Sequence, residues 1–125
     1  MTSAIDTVTE RVGVCRDFAH LSVALCRALS IPARYVSAYA LGLTPPDFHA
    51  GVEAYLRGPE GDGWYLFDAT RMVSVDRLVR IGVGRDAADI AFCTAFGGVA
   101  YDPPQVWVKD LVGAPQPTTD AVRLA

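Results

Sequence analysis

Along residues 14–29 apolar side chains recur at Phe18, Leu21, Leu25 and Leu29, with Ala24 and Ala28 beside them. Steps of three and four residues place them on one side of a helix, which predicts an amphipathic helix laid on a sheet. Asp17 falls in its first turn, where negative charge meets the positive end of the peptide dipoles. Pro32 ends it, because the ring removes a backbone donor and the residue before it avoids the helical region. The period then changes. "ARYVSAYAL" (residues 33–41), "FHAGVEAYL" (48–56) and "WYLFDA" (64–69) are rich in β-branched and aromatic residues and read as strands. "TPPD" (44–47) and "RGPEGDG" (57–63) are the breaks between them. The expected fold class is α+β, a helix packed on an antiparallel β-sheet whose first three strands form a meander.

Beyond Thr70 the pattern is less definite. "SVDRLVRI" reads either as a short helix capped by Ser74 or as the approach to a strand. "GVGRDAADIAF" has two glycines but no GxGxxG opening a helix, so it reads as a structural turn and not as a nucleotide site. "QVWVKDLV" (105–112) is expected to be a last strand and "GAPQPTTD" (113–120) a loose tail. Without internal repeats or a linker, residues 1–125 are expected to form one domain.

Composition narrows the function classes. Net charge is −3 and no run of lysine or arginine occurs, which disfavours nucleic acid, whose phosphates need clustered cations. Arg27 and Arg34 interrupt the longest apolar stretches, so no membrane span is expected. "MTSAIDTVTERVG" carries Asp6 and Glu10 and lacks an apolar core, unlike a secretory signal. The 3 cysteines are odd in number and lack CxxC spacing, which points to free thiols in a reducing, cytoplasmic setting.

The middle hairpin supplies candidate chemistry. Alternation puts His49, Gly51, Glu53 and Tyr55 on one face of their strand, and Trp64, Leu66 and Asp68 on one face of the next. Setting His49 opposite Asp68 puts Glu53 opposite Trp64 and centres the turn between Gly58 and Pro59. The carboxylate can then orient the imidazole, whereas a one-residue slip would separate them. Cys15 stands where the helix begins, and unsatisfied N–H groups with the dipole there favour thiolate. A histidine in reach lowers a cysteine pKa further, to ~3.5–7.5. Nucleophile, acid/base and orienter then occur in the order Cys15, His49, Asp68, a set suited to acyl transfer through a thioester.

The stretches "GVCRDFAHLSVALCRALSIPARYVSAY", "DFHAGVEAYL" and "GWYLFDAT" resemble the transglutaminase-like superfamily, in particular its bacterial cysteine-protease branch. The likeness runs from about Ser3 into the 80s and 90s. It implies a papain-like core in which the cysteine opening the helix packs on the antiparallel sheet. Carried over by position, the family's nucleophile is Cys15, its histidine His49 and its acid Asp68. The resemblance implies a peptide or protein substrate and no metal or organic cofactor. Two departures stand out. Gly51 occupies a position where relatives often have a bulky residue, and only fourteen residues precede Cys15. The chain is therefore expected to lack the family's usual N-terminal segment, and a non-enzymatic binding or assembly module, a homo-oligomer among the forms it could take, is the alternative reading.

Other residues carry blander expectations. Cys26 and Cys93 read as packing residues and His20 as a structural hydrogen-bonder. Asp17 and Arg16 each read as helix capping or a surface ion pair, with Asp17, Gly51 and Trp64 as the candidate substrate contacts. A zinc site drawn from Cys15, Cys26, Cys93, His20 and His49 matches no structural-zinc spacing. The oxyanion is expected at the Cys15 backbone N–H with a second donor unassigned.

Overall fold

Ser3 opens the chain's first helix. Its hydroxyl accepts from the Asp6 N–H at 3.2 Å while the Asp6 carboxylate accepts from the Ser3 N–H at 2.9 Å, a reciprocal cap that starts α1 (Ala4–Glu10). The computed structural model describes residues 2–113 and 117–125. After α1 come α2 (Cys15–Ala28), β1 (Ala33–Ala40), β2 (Phe48–Gly58), β3 (Gly61–Phe67), a 3-10 turn (Val75–Arg77), β4 (Leu78–Gly84) and β5 (Val122–Arg123). The sheet order is β4-β1-β2-β3-β5, antiparallel throughout. Strands β1 to β3 are the expected meander, and "SVDRLVRI" is both things it could be: one helical turn followed by a strand.

The helix sits on the sheet by a different side from the one its leucines suggest. Ala19 and Val23 are its buried apolar residues, packed with Cys15 against Tyr35, Ala50 and Val52. Leu25 is 54% exposed and Leu29 74%, so the expected stripe does not face the sheet. Small side chains let α2 approach closely, and the long ones are displaced to its flanks. On the far side of the sheet Val36, Leu66 and Val75 form a second cluster with Leu78, Val122 and Leu124.

The C-terminal third departs from expectation. Residues 105–110 have no regular secondary structure, so the last strand is not there; it is the two-residue β5, paired with Tyr65 and Leu66. Residues 114–116 of the expected loose tail lie outside the described residues. Thr118 is tied down, accepting from the Val75 N–H at 2.8 Å and donating to Ser74 Oγ at 2.6 Å. A lone apolar run such as "VWV" could not reveal that backbone groups elsewhere would outcompete it for the sheet edge.

The β2–β3 register is offset by two residues from the one expected. Val52 lies opposite Phe67, Tyr55 opposite Trp64 and Gly58 opposite Gly61, which makes Pro59–Glu60 the turn. Gly61 takes φ +98°, a value open to glycine, and so permits this short loop. A slip of two keeps side-chain parity, so His49 and Asp68 retain a common face.

Glu53 lies wholly buried in β2 between two arginines. Arg34 Nε is 2.5 Å from one carboxylate oxygen and a terminal nitrogen of Arg80 is 2.7 Å from the other. The Arg34 guanidinium also stacks 4.0 Å from the Trp64 ring centre, and Trp64 meets Tyr55 edge-on. Replacing Arg34 and Arg80 together by methionine leaves this carboxylate buried and unpaired. We expect a loss of about 3–5 kcal/mol in urea denaturation, and a loss within error would show the pairs to be dispensable.

Gly58 is fixed by a neighbour. A Cβ there would fall 2.3 Å from the Tyr65 hydroxyl, which donates to the Gly61 carbonyl at 2.9 Å. Gly58→Ala is expected to destabilise by about 1–3 kcal/mol through overpacking. Tyr65→Ala in the same chain should absorb most of that cost, and additive effects in a double-mutant cycle would refute the clash.

Candidate active site

The first turn of α2 is built around Asp17. Val14 is extended (φ −94°, ψ 176°), and its N–H donates to the Asp17 carboxylate at 2.9 Å. Gly13 must lack a side chain, since a Cβ there would meet Asp17 Cβ at 2.8 Å. "GVCRD" thus folds into a tight helix start that puts Cys15 at the first helical position, where the backbone N–H groups have no intrahelical acceptor.

His49 is the second residue of β2, opposite Ala38 of β1. The pairing of β2 with β3 ends at Val52 opposite Phe67, so residues 48–51 have no β3 partner along that edge. The thiol of Cys15 lies in this opening, close to Ala50 and the His49 imidazole. Its ring nitrogen Nε2 lies 2.9 Å from Asp68 Oδ2. The approach is close but oblique, the ring N–H not being aimed along the line to that oxygen. Asp68 directly follows β3, and its Oδ1 accepts from the Thr70 N–H at 2.9 Å and the Thr70 hydroxyl at 2.8 Å. His49 is 3% exposed and Asp68 4%. The structure therefore brings Cys15, His49 and Asp68 into one constellation.

Each group's acidity follows from its surroundings. Burial pushes the Cys15 thiol up, but hydrogen bonds from His49, Ala50 N–H and Arg16 N–H outweigh it and bring the pKa below an ordinary thiol's. Burial acts on His49 in the opposite sense, yet Asp68 and Cys15 together raise its pKa to about 9. Burial raises Asp68, but the His49 ring beside it and the hydrogen bonds from Thr70 hold it below the usual carboxylate range. All three shifts favour the same pair, thiolate beside imidazolium. Tyr35, buried near Cys15, is pushed well above the usual phenol range by burial and stays neutral. Cys26 has none of this support, and burial raises its thiol.

A cleft of about 550 Å³ opens on Cys15 and His49. Asp17, Gly51 and Trp64 do not line it. Asp17 caps the helix on its far side, Gly51 is enclosed by the Phe67 carbonyl and Leu66, and Trp64 lies under Arg34. His20, expected to hydrogen-bond, makes no side-chain hydrogen bond among the described residues; it borders a separate cavity of about 320 Å³ with Arg16 and Asp17. Cys93 is exposed and does not pack. Among the described residues no three His, Cys, Asp or Glu side chains are grouped to hold a metal ion.

Sequence reasoning missed Thr70 and the Ala50 N–H. A threonine two residues after an acid is a local turn signal that could have revealed the first. The second depends on where β3 leaves β2, which no residue type announces.

Residues 1–69, which include all three converging side chains, match the family model of the transglutaminase-like superfamily. The chain is 35% identical over 99 residues to an uncharacterized protein of Mycobacterium leprae, covering 72% of this chain and 34% of that protein. It is 36% identical over 100 residues to an uncharacterized protein of Mycobacterium tuberculosis, covering 71% and 32%. It thus spans about a third of the length of these curated relatives. A crystal structure named as a "Putative Cysteine Protease" from Cytophaga hutchinsonii superposes with TM-score 0.70 at 63% identity, over 78% of this chain and 32% of that one. The chain belongs to the transglutaminase-like superfamily.

Proposed function

We propose that this chain carries a cysteine-dependent acyl-transfer site acting on amide bonds of a peptide or protein, with hydrolysis as its outcome. The reading rests on the meeting of a helix-start thiol, an imidazole and a carboxylate at the open edge of β2. The name of the Cytophaga hutchinsonii relative supports the hydrolytic form. The Cys15 thiolate attacks the amide carbonyl carbon, and the carbonyl π electrons move to oxygen. The Cys15 N–H donates to this oxyanion. The Val14 N–H does not, because Asp17 holds it. The oxyanion collapses as the C–N bond breaks, the amine leaving with the His49 proton and the acyl group remaining as a thioester. Water then attacks the thioester, giving its proton back to His49, and the thiolate departs. Asp68, held by Thr70, keeps the ring oriented and stabilises its charged form.

Iodoacetamide alkylation, mapped by mass spectrometry across pH, tests the nucleophile. Cys15 should react at lower pH than Cys26, its rate levelling off above the depressed thiol pKa; reaction no faster than Cys26 at every pH would sink the proposal. Amide turnover should rise through the same thiol ionisation and fall above about pH 9, as His49 loses the proton it must deliver.

The same titration has a stability sign. Because the folded His49 pKa lies above its ordinary 6.5, its contribution is complete below 6.5 and is lost as pH rises through about 9. Chemical denaturation of the parent and of His49→Gln should therefore converge as pH rises across that window. Asp68→Asn should lower the His49 pKa, followed by NMR, and cut amide turnover by up to about 10⁴-fold. An unmoved His49 titration would remove Asp68 from the scheme.

A further inference from the structure

We infer that the cleft beside Cys15 selects its acyl donor by a large apolar side chain and discriminates against an acidic one. This deepens the reading of the same site and rests on it. The walls are Phe18, Leu43, Pro45, Phe48 and Met72. Phe48 is braced on both sides, its ring centre 4.7 Å from that of Phe92 and 5.5 Å from that of Tyr39, so it presents a fixed aromatic wall. Met72, 65% exposed, is a flexible apolar rim able to fold onto whatever enters.

Besides Cys15 and His49, the polar side chains in the lining are Thr44, Asp47 and Thr70. The Thr70 hydroxyl is spent on Asp68. Asp47, which accepts from the Phe48 N–H with one oxygen at 2.7 Å, borders the cleft, and no lysine or arginine does among the described residues. A substrate carboxylate entering here would lose water, meet as its one cation the His49 imidazolium, already held between the Cys15 thiolate and Asp68, and face Asp47, which costs free energy. An aliphatic or aromatic side chain loses nothing polar and gains the walls. The volume of about 550 Å³ lies within the range of small-molecule and side-chain pockets.

The test uses the whole chain and two readouts. Peptidyl fluoromethyl ketones bearing phenylalanine, glycine or glutamate next to the reactive carbon are compared as rates of Cys15 modification, each divided by the iodoacetamide rate. Phenylalanine should exceed glycine by about tenfold or more, with glutamate slowest. Phe48→Ala should reduce the phenylalanine ratio, and Met72→Glu, at an exposed position that does not endanger folding, should do the same. Equal ratios for the three probes, or glutamate fastest, would overturn the inference. The second readout needs no nucleophile. The chain has 2 methionines, Met1 and Met72, so a ¹³C-methyl label in Cys15→Ser protein gives two signals, and Met72→Leu assigns the one from the cleft. N-acetylphenylalaninamide should shift the Met72 signal, and N-acetylglutamate α-amide at the same concentration should not. If iodoacetamide shows an unactivated Cys15 while the Met72 signal still discriminates, the catalytic reading falls and the apolar pocket stands. If Cys15 is activated but neither readout discriminates, the pocket falls alone.

Discussion

Ala19 and Val23 meet Tyr35, Ala50 and Val52, so the buried apolar side chains that the helix brings to the sheet are small. That close seating fixes how far α2 stands from β2, and so where its first residue arrives. A leucine in either place would lift the helix and withdraw Cys15 from the Ala50 N–H. The early end of the β2–β3 ladder supplies the other half of the arrangement, because the thiol occupies an edge that a longer β3 would have covered. Helix seat and strand departure together place an acid, a base and a sulfur where none is exposed enough to be dominated by water.

Much of this could be read from the order of residues, for reasons that differ by region. The three strands and the helix follow from local periodicity, and side-chain parity on β2 and β3 follows from the pleat. Parity survived a register error because the error was two residues, and Asp68 reaches His49 from just beyond the strand end. The helix face was misread because hydrophobicity ranks leucine above alanine, whereas close packing prefers the smaller residue. Leu25 and Leu29 carried the stronger signal and the weaker burial. The C-terminal third was misread because its structure is long-range: the tie between Thr118 and Val75 has no local sequence signature. The cleft was illegible for the same reason, its walls coming from α2, the loop before β2 and the turn after β3.

Two buried acids show how the fold separates stability from reactivity. Glu53 is neutralised from both sides by arginines whose stems reach solvent, so its charge is satisfied and fixed. Asp68 accepts from the Thr70 hydroxyl and N–H and lies beside the His49 imidazole, the one group of the three that can move a proton. Both stand on the His49 side of the sheet by parity, yet only one is coupled to a group that titrates. An arginine in place of Thr70 would neutralise Asp68 and weaken its hold on the ring.

The glycine ahead of the helix makes the site brittle where the fold is tolerant. One extra methyl group at position 13 would turn the Asp17 carboxylate aside, orphan the Val14 amide and re-aim the sulfur without touching it. Ala19 and Val23 would still hold the remainder of the helix, so the cost in stability would be that of a lost cap, about 0.5–2 kcal/mol, and not that of a lost core contact. The absence of a side chain at position 13 is thus set by Asp17 and the start of the helix, and owes nothing to the core beneath it.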